Sequence, residues 1–157
     1  MLIAFLLAAA VPAHAREVPD WFADAILDVR DEAADAAKAG KRLMLYFWLE
    51  GCPYCQRMTS VTFRDPAMIE RLKRGFVPVA INVRGDRDIA WTDGATLTEK
   101  QLTAKLEVRA TPTILFLNGK GEIVLRLTGY VAPAEFGRAL DSLSTAPTAA
   151  LRSASPR

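Results

Sequence analysis

Both cysteines of this 157-residue chain stand within the short stretch EGCPYCQRM, as Cys52 and Cys55. Two thiols separated only by Pro53 and Tyr54 can serve as a local clip, as half of a metal site, or as a redox couple. The clip is a weak use of them. A closed loop of about four residues stabilises by roughly 2 kcal/mol in the chain-entropy model, against roughly 3 for 15 residues, and a domain of this size needs no such staple. The metal site lacks its other two ligands: His14 is the chain's sole histidine, so closing a site would take carboxylates or a second chain. The redox use needs one thiol to ionise readily, because the thiolate is the attacking species.

The flanking elements decide where these thiols sit. RLMLYFWL, residues 42–49, is a nearly continuous apolar run of the right length for a buried strand. Pro53 suits the first turn of a helix, where its missing N–H costs nothing, and that helix is expected to run to about Thr62. Cys52 then lies at a strand-to-helix junction. Unpaired N–H groups and the helix dipole favour its thiolate, and Cys55, one turn further in, is placed to resolve a mixed disulfide.

The remaining chain supplies a scaffold. Residues 20–40 read as a helix with Asp20 as its N-cap, Gly40 as its stop, and Phe22, Ile26, Val29, Ala33 and Ala37 as its buried stripe. Asp65 and Pro66 start a further helix carrying Met68, Ile69 and Leu72, which Gly75 ends. FVPVAINV, residues 76–83, is a second central-strand candidate with Pro78 at its entrance. Residues 84–97 read as a loop; the Arg84-Gly85-Asp86 tripeptide within it is the kind of match that recurs by chance. Thr98 and Gln101 form a capping box for a short helix with Leu102 and Leu106. TILFL and EIVLRL are two strands joined by Asn118-Gly119-Lys120-Gly121, and PAEFGRALDSL is an amphipathic helix with Phe136, Leu140 and Leu143 inward. The order predicts an α/β domain, a small mixed sheet with helices on both faces.

Composition fits a single soluble domain, with 51% hydrophobic and 24% charged residues. A formal net charge of +2 does not suggest a nucleic-acid or membrane-surface binder. At the N-terminus, an apolar stretch from Leu2 to Val11 precedes Ala13-His14-Ala15, which fits a signal peptide of residues 1–15, although no Lys or Arg follows Met1. A buried N-terminal helix is the alternative. Cleavage after Ala15 would remove the histidine, and with it Ser-His and Cys-His nucleophilic pairs and histidine-ligated metals. Residues 16–143 are expected to form the domain and residues 144–157 a disordered Ala/Ser/Pro-rich tail.

With YFWLEGCPYC after a buried strand, VRATPTILFLNGKGEIV downstream and Gly129 after the second hairpin strand, the chain resembles the thioredoxin superfamily over roughly residues 20–143. The resemblance implies a thioredoxin fold with an extra N-terminal helix. It also implies a cis Pro112 facing the cysteines, where an ordinary trans turn would be the default, and a Thr111 whose backbone pairs with a substrate strand. More narrowly, the chain looks like the exported SoxW-type thioredoxins. This implies a monomeric periplasmic reductant of disulfide-containing proteins, recharged by a membrane thiol conduit, with no nucleic acid, no metal and no cofactor beyond Cys52 and Cys55.

Departures from the family pattern are specific. Pro53-Tyr54 is the glutaredoxin dipeptide, yet no glutathione-specific site accompanies it. Tyr46 stands where thioredoxins bury an aspartate beneath the resolving cysteine, so the usual proton acceptor for Cys55 is missing. Glu50 is a candidate proton relay through water, the bland alternative being a solvated loop carboxylate. Trp48 reads as core packing before substrate contact. Gly51 replaces the family's tryptophan before the first cysteine. Two other functions stay open: an oxidant or isomerase of the same fold, and a non-catalytic binding module with vestigial cysteines. The isomerase is disfavoured because no residues remain for a separate dimerisation domain.

Overall fold

The computed structural model describes residues 18–23 and 28–145. The expected signal peptide, Ile26, and all of the expected tail beyond Thr145 lie outside these residues. The apolar run becomes strand β1 (Arg42–Trp48), whose residues 43–47 are all buried. It pairs in parallel with β2 (Phe76–Asn82) and antiparallel with β5 (Thr113–Leu117), and β5 pairs antiparallel with β6 (Ile123–Thr128). The sheet order is β2-β1-β5-β6.

β1 is apolar at successive positions because both of its faces are covered. Met44 and Tyr46, with Ile114 and Phe116 of β5, face a core built from helices α2 (Pro53–Ser60), α3 (Pro66–Gly75) and α5 (Pro133–Thr145) through Met58, Met68, Leu72, Phe136, Leu140 and Leu143. Leu43, Leu45 and Phe47, with Leu115 and Leu117, face the other core, where α1 (Val29–Lys38) and α4 (Glu99–Lys105) contribute Val29, Ala33 and Leu102. This is the expected architecture: a mixed sheet flanked by helices, with an extra helix at the N-terminal side.

Four local expectations are corrected. The first helix starts at Val29, capped by Asp28, whose carboxylate accepts from the N–H groups of Arg30 and Asp31 at 2.8 and 3.1 Å. Asp20 instead lies in a turn in which the Phe22 N–H reaches the Pro19 carbonyl. Phe22 therefore joins the α2/α3/α5 core while the α1 stripe faces the opposite one; a continuous helix with one buried stripe could not serve both. Within α1 the buried positions are Val29, Ala33 and Ala36, and Ala37 is exposed.

Second, Pro78 lies inside β2 rather than at its entrance, and β2 is an edge of the sheet. Its carbonyl accepts from the Ala23 N–H at 2.8 Å, on the side away from β1. A residue's N–H and C=O point the same way along a strand, so the missing proline N–H takes nothing from the β1 ladder. Third, residues 84–97 are not all loop: β3 (Asp88–Ala90) and β4 (Thr96–Thr98) form a two-stranded antiparallel sheet, with Ile89 buried against the α1 core. Fourth, α2 stops at Ser60, and a single 3-10 turn, Thr62–Arg64, leads to α3, where Asp65 caps the Met68 N–H at 2.8 Å. The capping box at α4 and the inward face of α5 form as expected.

Candidate functional site

The site starts where β1 ends. Gly51, at φ 73, takes a left-handed conformation that side-chain-bearing residues rarely adopt, and the chain turns there from the strand into α2. Cys52 is the residue that caps α2: its Sγ accepts from the Cys55 N–H at 3.3 Å, and Pro53 occupies the first helical turn. A cysteine in this position aims its sulfur at the free N–H groups of the helix start, the positive end of the dipole.

The other wall of the site comes from the turn before β5. The Thr111–Pro112 peptide bond is cis. The Thr111 hydroxyl donates to Cys52 Sγ at 3.2 Å, and the thiol can donate in turn to the Thr111 carbonyl at 3.5 Å. Gly129, just past β6, donates its N–H to the Pro112 carbonyl at 2.7 Å, which ties the next loop to the same turn.

These contacts make the two thiols unequal. Burial pushes Cys52 up, but hydrogen bonds from the Cys55 thiol, from Thr111 and from the N–H groups of Cys55 and Tyr54 outweigh it, and its pKa falls below that of an ordinary thiol. Cys55 is only 2% exposed, and its pKa is pushed up to about 11 by burial first, then by hydrogen bonding to Cys52 and by the charge Cys52 carries. A main-chain hydrogen bond with Leu49 and the Thr111 hydroxyl pull it partly back. Of the two sulfurs, Cys52 is the more readily ionised and Cys55 the one held protonated.

Of the residues singled out from sequence, Cys52, Cys55, Thr111 and Pro112 come together, although the last two lie some sixty residues along the chain. Pro53 and Tyr54 are exposed beside them, Tyr54 at 61%. Tyr46 is fully buried beneath α2, packed edge-on against Phe22 and Phe63. Its hydroxyl donates to the backbone carbonyl of Cys55 at 3.4 Å. Glu50 is exposed in the turn before Gly51, and among the described residues no hydrogen bond joins it to Cys55. Trp48 is half-buried and lines a separate cleft of about 530 Å³ with Phe22, Asn82, Arg87 and Glu99.

Two features escaped the sequence reading. The Thr111 hydroxyl, and not only its backbone, contacts Cys52; a threonine before a proline signals this only once the turn is known to face that cysteine. Arg57 lies over the ring of Tyr130, its guanidinium carbon 4.3 Å from the centroid. Nothing in the local sequence relates two residues on different elements. Among the described residues no group of three or more His, Cys, Asp or Glu side chains is placed to hold a metal ion.

Comparison with known proteins agrees with this geometry. Residues 29–144 match the family model described as Thioredoxin-like domain. The thiol:disulfide interchange protein DsbD of Photorhabdus laumondii is 30% identical over 105 residues, covering 66% of this chain and 16% of that protein. The DsbD of Salmonella typhimurium is 30% identical over 131 residues, covering 82% of this chain and 20% of that protein. The chain thus spans a fifth or less of these curated relatives. Among solved structures, a thioredoxin from Thermus thermophilus is 31% identical, with a TM-score of 0.58 over 76% of this chain and 88% of that one. The C-terminal domain of Neisseria meningitidis DsbD in its oxidised form, at 16% identity, shares the fold with a TM-score of 0.54 over 75% of this chain and 98% of that one.

Proposed function

This chain has the thioredoxin fold and belongs to the thioredoxin-like domain family, and on that premise we propose that it is an exported, periplasmic reductant of protein disulfides, of the kind its sequence resembles in the SoxW-type thioredoxins. The observation that carries the reading is the unequal setting of the two thiols: Cys52 stands at a helix start and accepts from the Cys55 N–H and the Thr111 hydroxyl at 3.3 and 3.2 Å, which lower its pKa, while Cys55 is buried behind it and raised. Relatives named for thiol:disulfide interchange support the chemistry.

The cycle follows from that inequality. The Cys52 thiolate attacks one sulfur of a substrate disulfide; the substrate S–S bond breaks, a Cys52–substrate disulfide forms, and the departing substrate thiolate takes a proton from water. Cys55 then gives up its proton and attacks Cys52 Sγ. The mixed disulfide breaks, the second substrate thiol leaves, and Cys52 and Cys55 end as a disulfide, two electrons having passed to the substrate. Two of the causes that hold Cys55 protonated, hydrogen bonding to Cys52 and the Cys52 charge, vanish once Cys52 is bonded to substrate. Forming the intermediate therefore makes the resolving thiol easier to ionise at the step that needs it. Cys55 needs no buried carboxylate for this part of its activation, which suits a chain with Tyr46 beneath it.

The Thr111 N–H meets no acceptor among the described residues and stands beside Cys52, where it can pair with the backbone of an extended substrate. A membrane thiol conduit is the proposed source of electrons. Trapping tests the reading: Cys55→Ser is expected to accumulate covalent adducts with disulfide proteins, and Cys52→Ser none. Identical behaviour of the two variants would overturn the roles. A reduction potential near about −270 mV would agree with a reductant, whereas one near about −120 mV would make the protein a disulfide donor.

A further inference from the structure

We propose that Arg57 and Tyr130 form a recognition subsite that favours disulfide substrates carrying a carboxylate beside the reacting cysteine. The proposal rests on the reductase reading and adds a substrate class to it.

The subsite is built on a chain of contacts that begins at Cys52. Thr111 holds Cys52; Pro112 follows it, and its carbonyl anchors the Gly129 N–H at 2.7 Å. Gly129, at φ 84, turns the chain there, so Tyr130 emerges next to the Pro112 turn. Below it, Val131 is buried and its carbonyl accepts from the buried Thr62 hydroxyl at 2.7 Å, fixing the loop from the other side. Tyr130 packs against the core and only partly faces solvent. Arg57 stands on the second turn of α2, five residues past Cys52, or about 7.5 Å of helix rise. Its contact with Tyr130 closes a rim that runs from the helix carrying the nucleophile to the loop behind Pro112.

The chemistry of the rim follows from the stacking. A guanidinium laid over a ring uses its flat face, and its N–H fork stays free at the edge. Among the described residues Arg57 takes part in no ion pair, and its side chain is exposed. What fits is a carboxylate, held by two parallel N–H···O bonds. Stacking holds the long side chain in place before the partner arrives, so less rotamer entropy is lost on binding. A peptide strand paired to Thr111 would pass this rim with its flanking side chain.

The test uses the dithiol form of the full chain and three disulfide-bridged peptides that differ only in one flanking residue: glutamate, glutamine or lysine. Initial reduction rates are measured at low and high salt. The wild type is expected to reduce the glutamate peptide about 5- to 10-fold faster than the glutamine peptide at low salt, with the lysine peptide slowest and the spread shrinking as salt rises. Arg57→Gln is expected to bring the glutamate-to-glutamine ratio to within twofold of one, and Arg57→Glu to invert it. Tyr130→Phe keeps the ring and the preference; Tyr130→Leu loses the stacking face and much of the preference. Equal rates for all three peptides in the wild type would overturn this inference and leave the reductase reading standing. A ratio unchanged in Arg57→Gln would do the same. Failure to reduce any peptide would overturn both.

Discussion

Helices α2 and α4 begin in opposite ways. At α4 the start is closed: the Thr98 hydroxyl accepts from the Gln101 N–H at 3.2 Å, and the Gln101 side chain accepts from the Thr98 N–H at 2.9 Å. Glu99, 2% exposed, adds a carboxylate that accepts from the Asn82 N–H at 2.9 Å and from Arg87 at 2.5 Å. At α2 the start is held by one sulfur, a weaker acceptor, at 3.3 Å, with proline supplying the next position. Where oxygens satisfy the N–H groups, the helix start is locked and chemically quiet. Where a cysteine takes the place of the oxygen, the same N–H groups stabilise a thiolate that can leave them to attack. In the proposed cycle, the weaker cap is the condition of the reactivity.

The largest expected effect separates the two sulfurs of α2 itself. With less than one equivalent of reagent, alkylation followed against pH should label Cys52 with a midpoint below that of an ordinary thiol and, while Cys52 is still free, leave Cys55 unlabelled until the pH approaches about 11. Around pH 8 the thiolate fraction of Cys55 should be roughly 100-fold below that of an ordinary thiol. Equal rates at the two cysteines would remove the basis of the contrast. The linkage has opposite signs at the two positions. The raised Cys55 contributes stability to the dithiol form that is present below the ordinary thiol pKa and is lost as pH rises towards about 11. The lowered Cys52 contributes stability that is present above the ordinary thiol pKa and is lost as pH falls through its own.

The next effect tests how tightly the α4 end is locked. A Cβ at Gly85 would run into Glu99 Oε2, and that carboxylate cannot swing away without breaking its bonds to Asn82 and Arg87. Gly85→Ala should cost about 2 kcal/mol in denaturant unfolding. Glu99→Gln in the same background should leave most of that cost, because the clash is steric; full recovery would mean that charge rather than packing closes this end.

The smallest effect compares the caps directly. Thr98→Ala should cost about 1 kcal/mol, while Cys52→Ser, which puts a good capping oxygen where the sulfur was, should cost about zero or stabilise slightly. A loss at Cys52→Ser as large as that at Thr98→Ala would show that the sulfur stabilises the start of α2 more than an oxygen does, and would overturn its reading as the weaker cap.

Much of this was readable in the chain because capping is local. The Thr98/Gln101 box, Asp65 before Pro66, and Pro53 after Cys52 each involve groups at most three residues apart, so residue type alone specifies them. The hairpin at Asn118–Gly121 and the buried runs of β1 and β5 are specified as locally. Misreadings arose where two local answers competed. Asp20 and Asp28 are both competent caps, and only the division of Phe22 and Val29 between two cores selects Asp28. Pro78 looked like a strand boundary because its edge position, with the carbonyl turned to Ala23, is a property of the sheet.

The sequence by itself determined that the chain carries a dithiol at a strand-to-helix junction within an α/β domain. Only the tertiary structure decided what surrounds that dithiol: the Thr111 hydroxyl on Cys52, the Tyr46 hydroxyl under Cys55, and the Arg57–Tyr130 rim. The reason is physical. A backbone N–H and a cap three residues away share one local geometry, whereas Cys52 and Thr111, 59 residues apart, meet only because β1 and β5 are adjacent in the sheet.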